Sequence, residues 1–86
     1  MADEIALARW CYAAVAAYET LQLGPGGFIH TYTLAMDPAD WGPRDRAIAQ
    51  ATIAARLPGC TVEVTDEAIA DEYFRPDWDA ACVSDA

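Results

Sequence analysis

The sequence predicts one small domain of mixed α and β structure, either α+β or small α/β. Its elements run in the order α-β-α-β-α, with a long apolar first helix packed on a small two-stranded sheet. Three observations carry this prediction. Apolar residues recur at helical spacing from about Asp3 to Leu23. Phe28 to Met36 alternates in the period of a half-buried strand. Glycine and proline punctuate the chain at 24–27, at 42–43 and at 58–59, dividing it into segments of element length. At 86 residues there is room for a single domain, spanning 1–86.

The first helix is the organising element. Leu7, Trp10, Cys11, Ala14, Ala17, Tyr18 and Leu21 form one broad apolar stripe, and Ile5, Ala8, Tyr12 and Val15 form a second. Arg9, Ala13, Ala16 and Thr20 leave only a narrow polar or small-residue side. Asp3 and Glu4 complement the positive end of the helix dipole, and Gly24 followed by Pro25 stops the helix. A helix apolar on most sides must be covered by the rest of the chain, by a partner, or by both.

The strand that follows places Phe28, His30, Tyr32, Leu34 and Met36 on one face and Ile29, Thr31, Thr33 and Ala35 on the other. Asp37 and Pro38 suit the cap and first position of a single helical turn. A second helix runs from about Arg44 to Leu57, with Ala47, Ile48, Ala51, Ala54 and Ala55 as its packing face. Cys60, Val62 and Val64 alternate with Thr61 and Glu63 as a second strand. Thr65 then caps a third helix, with Asp66 and Glu67 in its first turn and Ile69 and Tyr73 as anchors. Residues 76–86 form a tail that either stays mobile or adds one more turn. Two strands alone make a marginal sheet, so another chain could complete its edge.

Charge is the strongest compositional signal. The net charge is −9, from 14 acids against 5 bases, all of them Arg. Residues 1–56 carry six acids and four Arg; residues 57–86 carry eight acids and Arg75 alone. Such an end repels nucleic acid and anionic membrane and attracts basic surfaces. Three widely spaced cysteines, Cys11, Cys60 and Cys82, do not read as a disulfide framework. Asp3 and Glu4 stand where a secretory leader would be positive, and Arg9 and Glu19 interrupt the first helix as a membrane span. A reducing cytoplasm is expected.

The residues that could carry chemistry are few. His30 is the only histidine and has no second histidine or clustered cysteine beside it for a metal. Ser84 is the only serine and lies at the chain end, where a Ser-His-Asp site with His30 would lack a rigid frame. Cys11 and Cys60 fall on apolar stripes. The acids lack the loop spacing and glycine of a calcium site. No enzyme activity, metal or cofactor is expected.

The most informative stretch is Asp71 to Asp79, in which Tyr73, Phe74 and Trp78 are interleaved with Asp71, Glu72, Asp77 and Asp79. Aromatic anchors within an acidic rim suit a basic groove; the plainer alternative is that Tyr73 and Trp78 plug the core while the acids face water. With Glu67, these residues are the expected partner-binding set. In size, charge and lack of a catalytic constellation the chain resembles the small acidic inhibitors of phages and mobile elements, including anti-CRISPR and anti-restriction proteins. That resemblance is compositional and involves no shared motif. It implies a non-catalytic protein that occupies a basic, nucleic-acid-binding surface of a larger protein or nucleoprotein complex as a nucleic-acid mimic. It implies no direct contact with nucleic acid or membrane. The alternative is a homo-oligomeric structural or accessory subunit, a homodimer for example, joined through Ile5, Tyr12 and Val15.

Overall fold

The computed structural model describes residues 4–22 and 29–68. Among them are two helices and two strands: α1 (Glu4–Gln22), β1 (Thr31–Ala35), α2 (Pro43–Arg56) and β2 (Thr61–Thr65). The class is mixed α and β. The strands pair in parallel, with Thr31 opposite Thr61 and Ala35 opposite Thr65. Parallel strands need a crossover, and α2 supplies it. The tail lies outside the described residues, as does the expected third helix except for its first positions. There Thr65 Oγ1 accepts the Glu67 N–H at 3.1 Å. Asp66 and Glu67 form a bend and Ala68 has no regular structure, so no helix starts where the cap residue suggested.

Packing runs in sequence through the elements: α1 lies against α2, α2 against β2, and β2 against β1. The core joins Leu7, Trp10, Cys11, Ala14, Val15 and Tyr18 of α1 to Tyr32, Leu34 and Met36, to Ala49, Ile53 and Leu57, and to Val62 and Val64. Trp10, Met36 and Ile53 are its largest fully buried side chains. The alternation seen in the sequence is realised along β2, where Val62 and Val64 point inward between exposed Thr61 and Glu63, and over Thr31 to Leu34 of β1, where Tyr32 and Leu34 are buried and Thr31 and Thr33 exposed; Ala35, on the face of Thr31 and Thr33, is buried as well. Strand β1 is shorter than the alternating stretch because its only described pairing partner is five residues long. One further bond at each end, Thr61 N–H to His30 O at 2.8 Å and Met36 N–H to Thr65 O at 2.9 Å, closes the ladder.

Three expectations about faces are corrected. On α2 the alanine side is solvent-exposed; the inward residues are Ala49 and Ile53, continued by Leu57 just past the helix end. These lie four apart, on one line of the helix surface. Ile53 and Leu57 bring far more apolar area to that line than a row of alanines can. On α1, Leu21 is exposed and Ala13 is buried, the reverse of their expected places. Val15, grouped by spacing with Ile5 and Tyr12, is buried in the core, whereas Ile5 is 73% and Tyr12 41% exposed. The inward arc of α1 is wider than one apolar stripe because both α2 and the tyrosine of β1 pack against it.

The helix ends follow local chemistry. Gly42 precedes α2, Pro43 occupies its first position, and Asp45 Oδ2 accepts the Gly42 N–H at 3.0 Å. Asp37 organises the preceding turn: its Oδ1 accepts the Ala39 N–H at 2.9 Å, and its carbonyl accepts the Asp40 and Trp41 N–H groups at 3.0 Å. After α2 the chain reverses through Gly59, whose φ of 87° lies in the left-handed region that glycine tolerates.

Candidate interaction site

A polar network fixes the end of α1 to the lead-in of β1. The Tyr18 hydroxyl donates to the Ile29 carbonyl at 2.9 Å and accepts from Gln22 Nε2 at 3.0 Å; Gln22 Oε1 in turn accepts the Ile29 N–H at 3.0 Å. The Tyr18 and Tyr32 rings are tilted against each other with centroids 5.1 Å apart. Burial pushes the Tyr32 hydroxyl up to about 12, with the neighbouring Cys60 thiol a smaller cause. Tyr18 is shifted upward for the same reasons, burial first and Cys60 second. Burial likewise raises the Cys11 thiol, which favours the neutral form over a nucleophilic thiolate. This network holds the frame on which the surface is displayed.

On that frame, Glu4, Glu19, Asp40, Glu63, Asp66 and Glu67 are exposed carboxylates, and Arg9, Arg44 and Arg56 are exposed guanidinium groups. Arg46 is turned inward. Its Nη1 donates to the Trp41 carbonyl at 3.2 Å, and its Nη2 lies 3.5 Å from Asp66 Oδ2. It thus ties the start of α2 to the segment after β2, at a half-exposed contact worth less than about 1 kcal/mol. Of the expected partner-binding residues, only Glu67 falls among the described residues, where it is exposed beside Asp66. Asp71, Glu72, Tyr73, Phe74, Asp77, Trp78 and Asp79 lie outside them, as do Cys82 and Ser84. His30 is exposed, and Cys60 is half-buried. Among the described residues no three His, Cys, Asp or Glu side chains are placed to share a metal ion. No described helix is long and apolar enough to cross a membrane.

One concave feature has no counterpart among the sequence expectations. A cleft of about 630 Å³ opens where the first turns of α1 and α2 meet the loop between β1 and α2. Leu7, Pro38, Trp41, Pro43 and Ile48 supply apolar walls, and Glu4, Asp40, Arg44 and Asp45 line it with charge. Trp41 is half-buried and leans on the buried Trp10, centroids 6.4 Å apart. In the sequence, Trp41 stands directly before the glycine and proline break at 42–43. A tryptophan held in a turn beside Asp40 is the available signal, and only the approach of α1 makes a cleft of it.

No protein-family model matches the chain, and no curated protein or solved structure matches it.

Proposed function

We propose that the chain is a small acidic, non-catalytic binding protein that occupies a basic, nucleic-acid-binding surface of a larger protein, in the manner of phage or mobile-element anti-defence inhibitors. The observation that carries this reading is the charge: −9 over 86 residues, concentrated after residue 57. The exposed Glu63 of β2, with Asp66 and Glu67 just after the strand, begins that acidic run. Surfaces that hold phosphate are lined with Lys and Arg, and a fixed set of carboxylates competes for them. The partner-binding set in this reading is Glu67, Asp71, Glu72, Tyr73, Phe74, Asp77, Trp78 and Asp79.

The test is capture of the basic partner at low salt followed by a salt gradient. Elution should come early and sharply, because charge-dominated contacts are screened. Reversing Asp71, Glu72, Asp77 and Asp79 to Arg should abolish capture. Retention through high salt, or by the reversed variant, would refute the mechanism.

A second reading is favoured by a separate observation, the exposure of Ile5 at 73% and Tyr12 at 41% on one side of α1. Here a second copy covers that side and the chain is a homodimeric accessory subunit. Sedimentation separates the readings: dimerisation lost in Ile5→Glu/Tyr12→Glu supports it, and a strict monomer at micromolar concentration removes it.

A further inference from the structure

The cleft beneath Trp41 has a chemistry suited to one kind of side chain. Its walls are apolar, from Leu7, Trp41 and Ile48, and its charged lining is unevenly acidic. Asp45 is committed to the Gly42 N–H at the start of α2, where it also offsets the positive end of that helix. Glu4 and Asp40 are both exposed, and among the described residues neither carboxylate forms an ion pair with Arg44, although all three line the same cleft. A cleft lined both by apolar side chains and by the Glu4 and Asp40 carboxylates matches a long side chain with an apolar stem and a cationic head. Arginine fits better than lysine, since its planar guanidinium both stacks on an indole and donates its fork of N–H groups to a carboxylate. The partial positive charge at the two helix starts, roughly half a unit each, opposes a cation. With Arg44 included, the three carboxylates still leave the lining net negative.

We propose that this cleft is an arginine-binding subsite, in which a partner's arginine lays its stem along Leu7, Trp41 and Ile48 and directs its guanidinium to Glu4 and Asp40. The proposal rests on the acidic docking reading and adds to it a defined anchor, away from the carboxyl-terminal carboxylates.

The probe is the tripeptide N-acetyl-Gly-Arg-Gly-amide, titrated into the full isotope-labelled chain while the Trp41 indole N–H and the backbone amides are followed by NMR. The control replaces arginine by citrulline, which keeps the shape and removes the charge. The Trp41 signal should move in a saturable way with the arginine peptide and stay in place with citrulline. The double variant Glu4→Gln/Asp40→Asn should weaken binding by about fivefold or more. Both residues are exposed, and Glu4→Gln removes a charge that complements the start of α1, so the check that the fold is intact is a cooperative melt only a few degrees lower together with unchanged amide signals in β1 and β2. Equal responses to arginine and citrulline would overturn the proposal, as would unchanged affinity in the double variant. Movement confined to Glu63, Asp66 and Glu67 would also overturn it while leaving the acidic docking reading standing. No movement anywhere overturns the subsite, and the salt-gradient capture then decides the wider reading independently.

Discussion

The Tyr32 hydroxyl donates a 2.8 Å hydrogen bond to the carbonyl oxygen of Ala14, 18 residues earlier and in the middle of α1. The Ala14 carbonyl already belongs to the helix ladder, so the tyrosine uses its second lone pair. A buried hydroxyl without that partner would cost more than the bond contributes. With the Tyr18–Tyr32 ring contact, this bond joins the sheet to a helix whose main packing is against α2.

Tyr32 therefore predicts an alkaline limit to stability. Tyrosine ordinarily titrates near 10, and burial holds Tyr32 up to about 12 in the folded chain. The folded state keeps its proton where the unfolded state has lost it. The stabilisation is complete below about pH 10 and is lost as pH rises toward about 12, by about 2–3 kcal/mol in total. Denaturant titrations across that range should record the fall. Tyr32→Phe should remove the Tyr32 share of it, leaving the share of Tyr18, and should cost about 1 kcal/mol at neutral pH.

Gln50 guards the outer edge of β2. Its Oε1 accepts the Val64 N–H at 3.0 Å. Along a strand, successive N–H groups point to opposite edges. The Thr61 N–H points to β1, where His30 O accepts it, so by alternation the Val62 and Val64 N–H groups point away from β1. Gln50→Ala should destabilise the chain by about 1–2 kcal/mol through that unpaired donor. Amide exchange should accelerate at Val64 more than at Leu34.

The two sides of α2 should respond differently to substitution. Ile53 is fully buried, so Ile53→Ala should cost about 2–5 kcal/mol. Ala51 lies on the exposed side, and Ala51→Ser should change stability by no more than about 0.5 kcal/mol. Equal effects in paired denaturation curves would show that the inward side of α2 has been misassigned.

Gly59 should resist replacement. At φ 87° a Cβ is disfavoured, so Gly59→Ala should lower stability by about 1 kcal/mol. In thermal melts Gly59→Asn should lose less than Gly59→Ala, because asparagine tolerates the left-handed region better than alanine.

The two helices and two strands among the described residues were legible along the chain; the expected third helix was not among them. Period 2 in Tyr32, Leu34, Val62 and Val64, helical spacing in Leu7, Trp10, Cys11, Ala14 and Tyr18, and glycine or proline at the breaks are all local signals. They survive folding because each depends only on the order of residues along the chain, through its period and the breaks that glycine and proline make in it. The acidic bias was equally plain, since charge is additive along a sequence.

Which side of α2 turns inward could not be read in that way. Its alanines and its Ile53–Leu57 line are both apolar, and only the positions of α1 and β2 choose between them. The same holds for Val15, which spacing groups with Ile5 and Tyr12 but packing draws into the core. Gln50 against Val64, Tyr32 against Ala14 and the Trp41 cleft join residues far apart in the chain. Composition and periodicity thus determined the class of fold, the breaks and the field of charge. Tertiary packing decided which apolar faces were covered and which polar groups met, because both depend on the distance between elements that the local pattern does not encode.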